Sequence, residues 1–220
     1  MKNPAIVFLM CLIFSCTQKQ EEVTFNAVGL VDNLKAGNER FVKGHPVHPN
    51  ETLSRIRELK KGQHPYVVLV SCSDSRLPPE LIFDQGLGDI FSVRTAGNII
   101  GDYELGSIEY AVEHLDCKLV VVLGHENCGA IQAYASSNHA SRISNHIQNL
   151  IDHIAAEAEE INVPDSLKSN IDVLVNANIA HGVNFLRSST PVLKPMVENN
   201  EIEIIGAYYD LDSGRVLFDK

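Results

Sequence analysis

Residues 66–76 read YVVLVSCSDSR, and this stretch decides the fold. Its first five residues form an uninterrupted apolar run rich in β-branched side chains, which is typical of a strand buried on both faces of a parallel sheet. In open α/β sheets, ligands bind just beyond the carboxyl ends of the strands. We therefore predict that Cys72, Asp74 and Arg76, which follow the apolar run, lie where a ligand binds.

Residues 118–129 read KLVVVLGHENCG and have the same design, because an apolar run again ends in side chains that bind metals. Two thiolates and one imidazole suit zinc, a borderline-soft cation that prefers tetrahedral nitrogen and sulfur ligands. We predict that Cys72, His125 and Cys128 bind one zinc ion per subunit. Three protein ligands leave a fourth position for water, which marks a catalytic zinc site.

Asp74 lies two residues after Cys72, so its carboxylate can reach the same ion. The carboxylate can fill the fourth position as a metal ligand, or it can orient a water bound there. Arg76 can hold the carboxylate through its fork of N–H donors. We predict that Asp74 and Arg76 act together as catalytic residues.

The pattern Cys72-x-Asp74-x-Arg76 followed by His125-x-x-Cys128 resembles the β-class carbonic anhydrases, from about residue 25 to the C-terminus. The resemblance implies an α/β fold with a central, mainly parallel β-sheet flanked by helices and an N-terminal helical arm. It also implies reversible hydration of carbon dioxide to bicarbonate and a proton. In that reaction zinc hydroxide attacks carbon dioxide, and the Asp74–Arg76 pair orients or gates the zinc-bound water.

Four further residues are predicted to bind substrate. By resemblance, Gln63 donates an amide N–H to bicarbonate, Phe91 forms an apolar wall beside the zinc, and Tyr110 lies in the same pocket. The simpler interpretations are that Gln63 is a polar loop residue, Phe91 a core aromatic and Tyr110 a core tyrosine. Gly129 begins a helix directly after Cys128, where N–H groups and the helix dipole stabilise a thiolate and a nearby anion, so its N–H is a candidate oxyanion donor.

Three other functions compete with carbon dioxide hydration. A related zinc hydrolase would act on carbonyl sulfide or carbon disulfide through a narrower tunnel. A non-catalytic structural zinc protein would have a closed site with four protein ligands. A thiol redox role is weaker, since no Cys-x-x-Cys pair exists, although metal-free protein in an oxidising compartment could join Cys72 to Cys128.

The composition fits one globular domain, which we predict to span residues 24–220. The chain has 220 residues, of which 45% are hydrophobic and 21% charged, and this is typical of an α/β domain with a sizeable core. The net charge of −10 argues against nucleic acid as a partner. By resemblance, the arm formed by residues 24–43 packs across a second subunit in a homodimer or homotetramer, although packing within its own chain is equally possible.

Residues 1–15 are predicted to be a signal peptide, because their apolar run is too short to span a bilayer. Residues 13–16 read IFSC and resemble a bacterial lipobox, which implies cleavage before Cys16 and lipidation of that cysteine. Residues 16–23 would then be the lipidated cysteine and a polar tether. We predict an exported protein, periplasmic or anchored to the outer membrane, that touches the membrane only through Cys16; an ordinary secretory signal is the alternative.

The remaining pattern predicts alternating helices and strands. Cys117 is expected to be a small core residue, and the loop and helix histidines are not expected to bind metal. Helices are predicted over 24–43, 51–61, 79–83, 103–115, from 129, 140–188 with a break at 162–164, and 191–198; strands are predicted over 66–70, 89–94, 118–124, and a terminal hairpin over 202–209 and 215–218.

Overall fold

A computed structural model describes residues 27–137 and 145–219. The predicted signal peptide, the lipidated Cys16 and the tether over 16–23 lie outside the described residues and stay predictions, as does the domain start at residue 24. Within the described part of the chain, no helix is both long and apolar enough to cross a membrane.

Five strands form one sheet in the order β2-β1-β3-β4-β5. The first four strands of this order are parallel, and the last pairs antiparallel with its neighbour in the predicted terminal hairpin. The mainly parallel sheet predicted from the apolar runs is therefore confirmed. The strands are β1 (Val67–Cys72), β2 (Ile90–Thr95), β3 (Leu119–His125), β4 (Glu203–Tyr209) and β5 (Val216–Phe218).

The two strands that carry the predicted metal ligands are adjacent at the centre of the sheet. Every residue of β1 and of β3 is buried, because helices cover both faces of the sheet. The register pairs Ser71 of β1 with Leu123 of β3, so the two strands end side by side. On its other edge, β1 pairs Cys72 with Thr95 of β2. The sheet therefore brings three chain segments together at one carboxyl edge.

Nine α-helices are assigned within the described residues, and they follow the predicted order. In the helical region predicted over 140–188, residues 140–144 lie outside the described residues, an additional break occurs near residue 156, and the break predicted over 162–164 extends to residue 170. The break near residue 156 separates two helices that the sequence pattern had joined, and a short 3-10 turn at Asp165–Leu167 lies within the longer break. The helices are α1 (Ala27–Val42), α2 (Leu53–Leu59), α3 (Pro79–Ile82), α4 (Asp102–His114), α5 (Gly129–Ser136), α6 (Asn145–Ala155), α7 (Ala158–Ile161), α8 (Ile171–Ser188) and α9 (Leu193–Glu198).

Two hydrophobic cores lie on opposite faces of the sheet. Leu69 belongs to the core that includes residues of α1, α5, α6 and most of α8, while Val68 and Val70 belong to the core under α4 and α9. Both cores use fully buried aliphatic side chains, each of which stabilises the fold by roughly 1.5–3 kcal/mol relative to exposure. This alternation along β1 explains why its sequence is apolar at every position from Val67 to Val70.

Helix α1 packs on its own chain through Asn38. The Asn38 Nδ2 group donates to the carbonyl oxygens of Ile82 at 3.1 Å and Gly214 at 2.9 Å, and its Oδ1 accepts from the Val216 N–H at 2.9 Å. Intrachain packing of the arm, one of the two possibilities left open by the sequence, is therefore present. Val28 on the same helix is 69% exposed, so one face of the arm is uncovered in the single chain.

Candidate metal centre

The structure brings the three predicted zinc ligands together. Cys72 ends β1, His125 ends β3, and Cys128 immediately precedes α5. Their ligand atoms all lie within 4.8 Å of one another, and all three residues are buried. Among residues 27–137 and 145–219 this is the only such group of three metal-binding side chains, so the loop and helix histidines form no second cluster there.

Backbone N–H groups surround the two sulfurs. The Gly97 N–H lies 3.3 Å from the Cys72 Sγ, and the Asp74 N–H also lowers the pKa of Cys72. The Ile131 and Ala130 N–H groups, in the first turn of α5, act to lower the pKa of Cys128. Such donors, together with the positive end of the helix dipole, stabilise a thiolate.

The two thiols affect each other's titration. A hydrogen bond from the Cys128 thiol lowers the pKa of Cys72, although burial opposes this change. The pKa of Cys128 is raised, because its thiol proton is held by Cys72 and because it is buried. A bound cation would take the place of that proton and allow both sulfurs to be thiolates.

His125 directs one ring nitrogen into the group. Its Nδ1 lies 2.8 Å from the Glu126 carbonyl oxygen, so Nδ1 carries the proton and Nε2 presents a lone pair. The Nε2 atom is buried and has no hydrogen-bond partner. Leaving a buried polar atom unpaired costs roughly 1–3 kcal/mol. An unpartnered Nε2 beside two sulfurs is the arrangement that a soft divalent cation requires, so the residues present fit a metal ion.

Asp74 and Arg76 form the predicted pair beside this group. Arg76 donates its Nε to Oδ1 at 2.9 Å and its Nη2 to Oδ2 at 2.7 Å. These hydrogen bonds are the main reason that the pKa of Asp74 falls to about 2. Asp74 Oδ2 lies 3.9 Å from His125 Nε2, close to the ligand group but paired with Arg76. Of the two roles predicted for Asp74, the geometry favours orientation of a fourth ligand over direct metal binding.

Arg94 holds the backbone of Cys72 and Asp74, a role that was not predicted from the sequence. Its guanidinium donates to the Cys72 carbonyl oxygen at 3.1 and 3.2 Å and to the Asp74 carbonyl oxygen at 2.8 Å. Arg94 is paired with Ser71 in the register of β2 on β1. The position of Arg94 at the carboxyl end of the strand predicted over 89–94 could have indicated this role.

Comparison with known proteins identifies the family. The carbonic anhydrase family model matches residues 67–216. "Carbonic anhydrase 2" of Mycobacterium tuberculosis is 38% identical over 193 residues, which cover 87% of this chain and 92% of that protein. The carbonic anhydrase of Mycolicibacterium smegmatis is 36% identical, with the same two coverages. The solved structure of the β-carbonic anhydrase CcaA superposes with a TM-score of 0.70 at 26% identity, covering 88% of this chain and 94% of that one.

The chain belongs to the β-class carbonic anhydrases. The family assignment agrees with the fold and with the resemblance that residues 72–76 and 125–128 indicated. A β-carbonic anhydrase described as tetrameric, from Sordaria macrospora, also superposes, with a TM-score of 0.64 at 25% identity over 87% of this chain and 94% of that one.

Three of the substrate contacts predicted for this β-carbonic anhydrase do not lie beside the metal group within one chain. Phe91 pairs with Val68, four residues before Cys72, which is about 13 Å along the strand. Phe91 and Tyr110 pack together with ring centroids 6.5 Å apart, and Tyr110 is 48% exposed. Gln63 is an exposed residue before the amino end of β1. A role for these residues at the metal group would require a second subunit, so their assignments stay predictions.

Gly129 lies where the β-carbonic anhydrase resemblance requires an oxyanion donor. It is the first residue of α5 and directly follows Cys128. A Cβ added at Gly129 would meet no heavy atom within 4 Å, so the space beside the Gly129 Cα is open. This geometry is compatible with the predicted N–H donor.

Cys117 is confirmed as a core residue. It is fully buried, and its Sγ donates to the Pro65 carbonyl oxygen at 3.0 Å. Burial raises the pKa of the Cys117 thiol to about 12. The thiol is therefore protonated and unreactive at neutral pH.

Proposed function

We propose that this β-carbonic anhydrase catalyses the zinc-dependent, reversible hydration of carbon dioxide to bicarbonate and a proton. The observation that carries the proposal is the unpartnered His125 Nε2 buried beside the sulfurs of Cys72 and Cys128. Family membership supplies the reaction, and the donor set favours zinc over the harder cations that prefer oxygen ligands.

When bound, zinc would make a water molecule acidic enough to supply hydroxide near neutral pH. Cys72, His125 and Cys128 would hold the ion and leave one position open. Two thiolates donate more charge to the ion than imidazoles do, which weakens this acidification. Asp74 would oppose that effect by accepting a hydrogen bond at the open position, and Arg76 keeps Asp74 ionised for this purpose.

The substrate side of the site needs a dry surface and one N–H group that donates a hydrogen bond to an anion. Carbon dioxide is apolar and requires no charged residue to bind. The bicarbonate product is an anion, and the N–H of Gly129 at the start of α5 would donate to it. The chain has a net charge of −10, and its overall electrostatic field therefore repels anions. A local hydrogen-bond donor is needed for this reason.

Metal analysis and stopped-flow hydration test the function. We expect one zinc per chain in the wild-type protein and loss of zinc and activity in His125→Ala. Asp74→Asn should keep its zinc and lose roughly 10²-fold or more in the hydration rate, a typical contribution for a residue that positions a proton. Folded protein without stoichiometric metal, or full turnover of His125→Ala, would overturn the proposal.

The same variants separate the competing functions. A structural zinc protein predicts that Asp74→Asn leaves any hydration rate unchanged, and it needs a fourth protein ligand. Asp74, the nearby candidate, is held by Arg76 instead. A hydrolase would turn over carbonyl sulfide or carbon disulfide faster than carbon dioxide, and no contact in the described structure favours those substrates.

We further propose that the enzyme is a homodimer or homotetramer. Exposed apolar side chains line the same surface cleft as Gln63, including Ile56 at 53% and Leu87 at 44%. A second subunit covering this surface would bury these side chains and could bring Gln63, Phe91 and Tyr110 to a metal centre. Sedimentation equilibrium tests the assembly, and a monomer with full activity would contradict it.

We also propose that the enzyme is exported and anchored through a lipid on Cys16. The support is the apolar run within residues 1–15 and the lipobox-like sequence IFSC at 13–16. Mass spectrometry of the membrane fraction should find cleavage before Cys16 and two kinds of acyl modification, on its thiol and its amino group. Cys16→Ser should release the enzyme from membranes, whereas unchanged membrane association of this variant would reject the anchor.

A further inference from the structure

Three buried polar side chains form a hydrogen-bonded chain behind the metal centre. Asn98, Asn178 and Glu157 are 3%, 2% and 3% exposed. The Asn98 Nδ2 donates to the Asn178 Oδ1 at 2.6 Å, and the Asn178 Nδ2 donates to both carboxyl oxygens of Glu157 at 3.1 Å. Asn98 lies in the turn after β2, Asn178 in α8, and Glu157 directly before α7. None of the three is part of the metal group.

The first member of this chain belongs to the turn that touches Cys72. Gly97 and Asn98 both have left-handed backbone conformations, with φ of +70° and +46°. Asparagine tolerates this region better than most residues, but it still needs support. This turn delivers the Gly97 N–H to the Cys72 Sγ at 3.3 Å. Any change in the turn therefore changes a hydrogen bond on a predicted zinc ligand.

Glu157 decides which end of the Asn178 amide faces the turn. A side-chain amide can present either its oxygen or its NH2 group. Because both Glu157 oxygens accept from the Asn178 NH2 group, the Asn178 oxygen must face Asn98. A fully satisfied buried network of this kind holds a single arrangement.

Among the described residues, no basic side chain donates a hydrogen bond to Glu157. His153 from α6 and His181 from α8 line the same small cavity, but His181 pairs with Glu159 at 2.6 Å. Burial is the largest cause that raises the pKa of Glu157, and the neighbouring Glu159 and Glu160 add to it. Glutamine keeps a carbonyl oxygen as an acceptor at this position, so it is the closest substitute.

We infer that Glu157, Asn178 and Asn98 are positioning residues for the metal centre, which hold the Gly97 N–H on the Cys72 sulfur and thereby set the strength of that sulfur as a metal ligand. The inference rests on the proposed zinc function. Hydrogen bonds to the ligands of a metal orient them and tune their basicity, and losing such a partner typically lowers metal affinity about 10–100-fold.

The test compares two leucine substitutions on α8. Asn178→Leu removes the network at similar volume, while Asn176→Leu changes an exposed residue two positions away. We expect Asn178→Leu to weaken zinc binding about 10–100-fold in competition with a chelator. With cobalt(II) in place of zinc, it should also shift the sulfur-to-cobalt charge-transfer band. Asn176→Leu should change neither quantity.

Two more variants keep the outcome decisive. Glu157→Gln retains an acceptor for the Asn178 NH2 group, so its zinc affinity and cobalt spectrum should stay close to wild type. Asn98→Gly removes the side chain, and glycine fits the left-handed turn, so this variant should fold. It should show the same loss of zinc affinity, and it replaces Asn178→Leu in the test if that variant fails to fold. Wild-type affinity and spectrum in Asn98→Gly, or in folded Asn178→Leu, would overturn the inference.

Failure of the inference is distinguishable from failure of the proposed function. If wild-type protein binds neither zinc nor cobalt(II), the metal centre itself is refuted and the positioning role goes with it. If the wild-type protein binds both ions and hydrates carbon dioxide, while the network variants match it, only the positioning role is refuted.

Discussion

Burial of Glu160 makes the stability of the fold sensitive to pH. The residue lies in α7, is 0% exposed, and neither carboxyl oxygen has a hydrogen-bond partner among the described residues. Burial raises its pKa from 4.5 to about 8, and the distant charge of Lys168 opposes this only in part. We predict that Glu160→Leu stabilises the protein, and that the gain grows as the pH rises.

The magnitude follows from proton linkage. Between pH 4.5 and pH 8 the unfolded chain has released the Glu160 proton, whereas the folded protein still holds it. Folding therefore takes up one proton, and the free energy of unfolding falls by about 1.4 kcal/mol for each pH unit in this window. Leucine cannot titrate, so the advantage of the variant should increase by about 3 kcal/mol between pH 5 and pH 7.

Urea unfolding followed by circular dichroism at pH 5, 6 and 7 measures this difference at constant zinc and protein concentrations. Comparing variant with wild type cancels the titration of every group that Glu160 does not influence; the pKa of Glu157, which Glu160 raises, should fall in the variant. Glu58→Gln is the matched control, since its side chain is 62% exposed, and its stability relative to wild type should not change with pH. A constant difference between Glu160→Leu and wild type, or a less stable variant at pH 7, would refute the reasoning by showing that the carboxylate has a favourable partner.

Three further substitutions test the site and the packing of α1. Gly97→Ala places a Cβ 2.9 Å from the methyl group of Ala130, at a backbone position with a left-handed conformation. Urea unfolding should therefore show a free energy of unfolding lower by roughly 1–3 kcal/mol. The control is Gly106→Ala, which has open space in the middle of α4 and should raise the free energy of unfolding by up to about 1 kcal/mol. Arg76→Ala frees the carboxylate beside the metal group to bind the ion, so stopped-flow assays should show at least about 10-fold slower hydration with zinc retained, and an unchanged rate would contradict the pair. Asn38→Ala removes one buried and two partly buried hydrogen bonds and should cost about 2–4 kcal/mol in unfolding free energy, whereas Asn33→Ala on the exposed face of α1 should cost little.

The central sheet and the metal group could be predicted from the sequence for one physical reason. A strand covered on both faces must be apolar at every position, and a parallel sheet places its binding groups at the carboxyl ends of its strands. The runs at 67–70 and 119–123 satisfy the first condition, and the side chains after each run satisfy the second. Adjacent pairing of β1 and β3 then brings Cys72 and His125 together.

The environment behind the metal group could not be predicted in the same way. Residues 156–161 read AEAEEI, which looks like a solvated, charged segment, because burial of Glu157 and Glu160 depends on how α7 packs against α8. The left-handed turn at Gly97 likewise depends on the close approach of α5. The roles of Phe91 and Tyr110 stay predictions, since a resemblance predicts a residue's role without saying at which subunit's metal group the residue acts.

Charge balance explains why so acidic a chain can hold and release an anionic product. Two thiolates would cancel a divalent cation, and Asp74 is cancelled by Arg76. The centre therefore carries no net charge before a reacting anion enters. The remaining stabilisation of that anion would come from the Gly129 N–H at the start of α5, because the Gly97 N–H in the turn after β2 already donates to the Cys72 sulfur. Fixed dipoles of this kind stabilise an anion without binding it as tightly as a buried cation would. Release of bicarbonate should therefore depend more on the integrity of this turn and this helix start than on any surface charge, so neutralising exposed carboxylates such as Glu58 should leave turnover unchanged while Gly97→Ala lowers it.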